Sequence, residues 1–558
     1  MFICTIILIM LEKINSKKKL LFHCFIASLF LILVYSRFVG LDWGLPFPMH
    51  PDERNMASAI QGLNCIISNF RECGNPHFFA YGQFPLYLGY LITYFLKLEA
   101  TISLRIISAI ASVINAIIII KIIKVIIKKE SHFTLFISYL IIIFSPYAIQ
   151  FAHFGTTESL LMLFYSLIIY LSMLMFERRT TGTVVQLALV SGLAIATKVS
   201  SIIFIIVPLI TILSSLRSWD RYKNLVKFGM LTIIFMVLFS PHNFINFEDF
   251  ISSMNYESEV ALGKSLVFYT RQFFNTQPIL FQLEKVFPFA LGWPVFLIGL
   301  MGLIGANWKD RKTNLLRFAF LIYFVPSAMI YAKWSRFMAP VFPIIIIFAV
   351  LFISNIKDQI SKLSPKFKTL KFALGFALCT LIFMMIVPGI AYLSIYQNPD
   401  VRFQASDWIY KNIPNNSYIL SETANVVDIP VLNPKLEIRN SKQIQNLNYQ
   451  IISFNFYDLD ASPELQFELS NHLQKADYIF IPSRRIFANH SKQKYPILNK
   501  YYEGLFSGKL GFEKVAEFKS YPEIYQWKFP DEQAEETWTV FDHPVIWIYK
   551  RIAKNPKL

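Results

Sequence analysis

Charge is scarce in this sequence. Only 16% of its 558 residues are Asp, Glu, Lys or Arg, against about 25% in soluble domains. With 55% hydrophobic residues and a mean hydropathy of +0.46, an ordinary soluble enzyme is excluded. Acidic residues are scarcer than basic ones, 36 against 53, leaving a net charge of +17. In a soluble chain that excess would suggest nucleic acid. Here the lysines sit in short loops between apolar runs, so topology explains them and no nucleic-acid partner is expected. Cysteine is also sparse, and the five present make no metal-ligand pattern. Cys4, Cys24 and Cys379 lie in or near apolar runs. Cys65 and Cys73 share one polar loop, where they pair if the loop faces an oxidising space and are otherwise two free thiols. Residues 1–10 are too short to span a bilayer, and no small-residue cleavage site follows them. An uncleaved cytoplasmic anchor at Lys13 and Lys17–Lys19 is expected.

What the chain has in quantity is apolar runs near the 20 residues a spanning helix needs. Residues 20–40 form the first, and with the lysine cluster inside, residue 41 onward lies outside. The run 84–97 is too short to span and is expected to lie in the interface or to re-enter. Lys121, Lys124, Lys128 and Lys129 fix residues 101–120 as an inward crossing. Residues 133–150 go out and 159–176 return to Glu177-Arg178-Arg179. The stretch 184–214 is read as two short crossings with a turn near Lys198. Residues 226–240, 287–305, 318–331, 337–354 and 372–396 complete about eleven transmembrane helices. This assignment puts outer loops 41–100 and 241–286 on one side with the C-terminal region. The fold class is therefore an α-helical polytopic membrane protein, residues 1–397, with an extracytoplasmic α/β domain at 398–558. Strands are predicted at Ser417–Ser421, Gln450–Phe456, Asp477–Pro482 and Ile546–Tyr549, and a helix at Phe403–Asn412. That domain has no glycine-rich phosphate loop and no metal-ligand cluster.

The chemistry concentrates on the outer side. His50-Pro51-Asp52-Glu53 follows the first span, where a carboxylate pair beside a bilayer is costly without a use. The plainer reading is a solvated pair or a helix N-cap. His153 and Glu158 lie in the next outer loop, where Glu158 also suits a helix N-terminus. Lys333 and Arg336 are the cations a phosphate site needs, or else a snorkelling pair. Lys198 sits within an apolar run and must be paired or ligand-facing. Arg105 lies near the outer end of its span. Tyr81, Tyr87, Tyr269 and Arg271 are candidates to line an acceptor groove, although interfacial aromatics usually serve as anchors.

Several segments together resemble the GT-C glycosyltransferase superfamily, and within it bacterial relatives of protein O-mannosyltransferases and the lipid A aminoarabinose transferase. They are HPDE at 50–53, NPHFFAYGQFPLYL at 75–88, SPYAIQFAHFGTTES at 145–159, GLAIATK at 192–198 and RFMAPVFP at 336–343. RFQASDWIYKNIP at 402–414 and FDHPVIWIYK at 541–550 continue the resemblance into the outer domain. Order and spacing carry it, since no single motif is specific. It implies transfer of a sugar from a polyprenyl-phosphate donor to a protein, glycan or lipid acceptor at the outer face. The family's first-loop aspartate, the implied general base, falls on Asp52, and its second-loop acidic residue, often aspartate, falls on Glu158. Asp52 would deprotonate the acceptor, with Glu53 or His50 orienting it or the donor sugar. Lys333, Arg336 and Lys198 would hold the lipid phosphate, and attack opposite the phosphate would invert the anomeric centre. No metal is obligatory, though a divalent ion bridging the carboxylates is compatible with this scheme. The rival is a transporter or flippase of lipid-linked sugars. Such proteins usually show internal repeats and mid-membrane sites, whereas here no repeat is visible and the acidic groups gather at one face.

Overall fold

The structure, a computed structural model, describes residues 16–63, 69–127, 132–178, 180–215, 218–423, 427–431 and 449–552. The chain divides into two compact units. The first is built from Met1–Leu41, Asp52–Ser258 and Pro278–Leu393, the second from Asp42–Pro51, Glu259–Gln277 and Ser394–Leu558.

The first unit is helical because its apolar runs can satisfy their backbone groups in hydrocarbon only within themselves. Among the described residues five helices are long and apolar enough to cross a membrane. The number is up to seven if each of two bent pairs is one span. The first bent pair, His132–Ile143 and Pro146–His153, turns by 50°. Pro146 has no N–H for the Ile142 carbonyl four residues back. The fully buried Arg37 supplies donors instead, to Ile142 O at 2.7 Å and Ile143 O at 3.0 Å.

The second pair, Gln282–Leu291 and Trp293–Gly305, turns by 112°. It pivots on Gly292, whose φ of +80° suits glycine. The stretch expected as one crossing over 287–305 is thus split. The helix Thr181–Thr197 ends at Lys198, whose backbone is extended, and the chain resumes as a 3₁₀ turn, Val199–Ile205, and helix Ile206–Ser215. Phe84–Leu96 is a helix of 13 residues, about 20 Å long against a hydrocarbon core of about 30 Å.

The second unit holds a five-stranded sheet of β1 (Tyr418–Glu422), β2 (Gln450–Phe454), β3 (Tyr478–Ile481), β4 (Phe512–Phe518) and β5 (Ile546–Arg551). The order is β2-β1-β3-β5-β4, with β2, β1 and β3 parallel and β5 antiparallel to both neighbours. Alternation along the strands builds two cores. Leu420, Ile479 and Ile481 pack with Leu469 and Tyr501 on one face. Ile419, Tyr478 and Phe480 pack with Val401 and Ile409, from helix Val401–Asn412, on the other. Strand β4 was not anticipated. Its Glu513, Lys514 and Glu517 break the apolar pattern, which an edge strand tolerates because one side faces water.

Candidate active site

Asp52 and Glu53 open the helix Pro51–Gly62, where carboxylates favour the N-terminal dipole. Neighbours on a helix point about 100° apart, and these two meet different partners. Glu53 is fully buried. Arg105 grips it with a two-pronged pair, Nε to Oε1 at 2.7 Å and Nη2 to Oε2 at 2.8 Å, and the Gly155 N–H adds a bond of 2.7 Å to Oε1. A third Arg105 nitrogen donates to the Leu41 carbonyl at 2.7 Å. Asp52 is half-buried and takes a hydrogen bond from the Tyr81 hydroxyl at 2.8 Å on Oδ2, where Arg336 Nη1 also pairs with it.

Tyr81 connects Asp52 to a second charge. The Lys198 ammonium lies 4.9 Å from the centre of its ring and 5.4 Å from that of Phe337, a cation–π arrangement. The same ammonium pairs with the buried Glu158 at 3.8 Å. Tyr81 reaches this place because the next residue is glycine. Gly82 N–H donates to Thr197 O at 3.0 Å, and a Cβ on it would sit 2.0 Å from Ala196 O. Gln83 then ties the loop to residues 240–243. Its N–H donates to Ser240 Oγ at 3.1 Å and its Nε2 to Asn243 Oδ1 at 3.2 Å, and its Oε1 accepts from His242 N–H at 2.9 Å.

The remaining candidates meet other partners. Lys333 turns back to the Tyr331 carbonyl at 2.9 Å, and burial lowers its pKa. His153 faces backbone carbonyls with both ring nitrogens, Ile149 O and Val39 O, each at 2.7 Å. Tyr87 donates to Gly74 O at 2.9 Å. Three candidates belong to the second unit. His50 is buried with its ring 4.3 Å from that of Phe541. Arg271 pairs with Asp458 at 2.9 Å and also donates to the Tyr457 carbonyl. Tyr269 packs edge-on against Phe268. Cys73 is disulfide-bonded, while Cys65 lies outside the described residues.

Two residues escaped the sequence reading. An arginine inside the first apolar run was a signal for Arg37. Glu257, on helix Phe247–Leu262, lies within electrostatic reach of Lys198, and its pKa is raised by desolvation against that cation. Nothing in its local sequence marks it. Among the described residues no group of three or more His, Cys, Asp or Glu is placed to hold a metal ion.

Residues 83–245 match the family model described as dolichyl-phosphate-mannose-protein mannosyltransferase. The match includes Arg105, His153, Glu158 and Lys198 and stops short of Asp52 and Arg336. The chain resembles this family over that segment, as the motifs suggested. A search of curated protein sequences finds no match. Among solved structures, the chain is similar to ArnT from Cupriavidus metallidurans bound to undecaprenyl phosphate, at 12% identity and a TM-score of 0.49 over 96% of this chain and 98% of that one. It is also similar to the oligosaccharyltransferase AglB from Archaeoglobus fulgidus in complex with an inhibitory peptide and a dolichol-phosphate, at 12% identity and 0.49 over 92% and 75%. The arabinofuranosyltransferase AftD from Mycobacteria is similar at 13% identity and 0.43 over 98% and 40%.

Proposed function

We propose that this chain is an inverting glycosyltransferase moving a sugar from a polyprenyl-phosphate donor to an acceptor on the outer face of the membrane. The observation that carries this reading is the contrast between two adjacent carboxylates. Glu53 is enclosed by Arg105 and Gly155, whereas Asp52 is half-buried and held by a phenol and a guanidinium. Asp52 is the general base. Such catalysis is worth about 10²–10⁴-fold.

Arg336 has two alternative anions in this scheme. Without donor it neutralises Asp52. The donor's phosphodiester brings a second anion that matches the guanidinium fork, and its charge grows as the phosphate departs. As Arg336 turns to the phosphate, Asp52 loses its counter-charge and becomes a stronger base. Lys198 supplies a further cation for the phosphate. These charges act where the departing phosphate develops its own, which is often the largest catalytic contribution. Lys333, turned to Tyr331, is a secondary candidate for the same phosphate.

Glu53 and Arg105 are positioning residues here. Their pair fixes the first turn of helix Pro51–Gly62 and so the direction of Asp52. Arg105 and the Gly155 N–H take up three of the roughly four acceptor sites on Glu53, so a divalent ion here would rest chiefly on Asp52. The family model's description supports a lipid-phosphate sugar as donor. The test is incubation of the purified protein with labelled polyprenyl-phosphate sugars and membrane extracts. Transfer of label from lipid to acceptor is expected. Movement of intact donor across vesicles without transfer would favour a transporter.

A further inference from the structure

We propose that the second unit carries a binding site for an anionic amphiphile, a ligand with an apolar chain and one terminal carboxylate or phosphate. The site is a pocket of about 420 Å³ beside helices Pro463–Lys475 and Pro496–Phe506, within the range of small-molecule sites. Leu459, Leu469, Leu510 and the Tyr501 ring line it, all buried residues of one core cluster. Its interior is therefore apolar. Gly504 lets Leu510 pack closely against its helix, since a Cβ there would lie 3.0 Å from Leu510 Cγ.

The lining also has a definite charge pattern. Lys500 and Lys509 are exposed side chains on it. Glu503, the acid among the lining residues, is paired with Lys492, which is not one of them. Gln466 spends its amide on the Leu459 carbonyl at 3.1 Å. Lys509 also lies within electrostatic reach of Glu503, so the lining keeps a net positive charge for an occupant, with Lys500 and Lys509 as its cations. An apolar interior beside two lysines suits a hydrocarbon chain ending in an anion. A fatty acid and an isoprenyl phosphate share that chemistry.

The test uses the full-length protein in phosphatidylcholine nanodiscs, photolabelled with a diazirine-bearing dodecanoate and mapped by peptide mass spectrometry. Adducts are expected within residues 459–510, competed by dodecanoate or farnesyl phosphate but not by dodecanol. Stronger competition by dodecanoate assigns a fatty acid, and stronger competition by farnesyl phosphate an isoprenyl phosphate. Ser470→Phe, which fills the pocket, should remove the labelling. The double variant K500E/K509E changes only exposed side chains and should reduce labelling by about tenfold, the effect of two solvent-exposed ion pairs lost and reversed. Adducts confined to membrane helices, competition by dodecanol equal to dodecanoate, or undiminished labelling of the double variant would each overturn the proposal. None of these residues takes part in the proposed transfer, so failure here leaves that reading untouched.

Discussion

Adjacent residues can carry opposite fates, and Asp52 and Glu53 show how. Sequence marks both as acidic and outward, and nothing local separates them. The difference arises from Arg105, 52 positions away, and from Arg336, 284 positions from Asp52. Removing one partner of a buried ion pair typically costs about 3–5 kcal/mol, because the other is left charged and dry. Glu53→Ala should therefore lower the thermal midpoint sharply. The double replacement Glu53→Gln with Arg105→Met should restore much of it and retain measurable transfer. A double variant as stable as wild type yet inactive would place Glu53 in the chemistry. A second buried acid gives a pH test. Burial raises the pKa of Glu422 to about 8, opposed by the hydrogen bond from Tyr502. Between 4.5, its ordinary value, and about 8, the folded protein keeps a proton that the unfolded chain has released. Stability must fall as pH rises through that window and level off above it. Glu422→Gln removes this slope, so its advantage in thermal midpoint over wild type should grow from pH 5 to pH 8. A difference independent of pH would contradict the assignment.

At the scale of elements, the loop before helix Phe84–Leu96 matters most. It brings Tyr81 to both Asp52 and Lys198, and Gly82 makes that approach possible by backbone contact with the end of helix Thr181–Thr197. Gly82→Ala would push a methyl group into the Ala196 carbonyl, and the loop must shift. An active group displaced by about 1 Å can cost about 10²-fold in rate. Turnover of G82A should fall by that order, and because the clash is with backbone the thermal midpoint should fall too. Unaltered turnover would separate Tyr81 from catalysis. Helix positions were readable from apolar runs, and the helix break at Lys198 coincides with the lysine that interrupts its run. The 112° turn at Gly292 was not readable, since a Gly-Trp-Pro sequence inside an apolar run is equally compatible with a kinked span. Strand β4 was hidden by its charges.

For the whole molecule, the charge pattern that sorted inner from outer loops also gathered Asp52, Glu158, Lys198 and Arg336 on one side. All four belong to the first unit, where the contacts among Asp52, Tyr81, Arg336, Lys198 and Glu158 form one connected set. Which partners those residues choose was beyond sequence, because it depends on loops packing across hundreds of positions. The same charge pattern predicts that the C-terminal unit is extracytoplasmic. Protease added to sealed right-side-out vesicles should cleave within residues 394–558, and protection there would invert the topology. The most direct measurement concerns Asp52 itself. In Asp52→Asn, single-turnover transfer from a labelled polyprenyl-phosphate sugar should fall by at least about 10²-fold, the usual worth of a general base, while donor binding persists. Transfer at the wild-type rate in that variant would contradict the account.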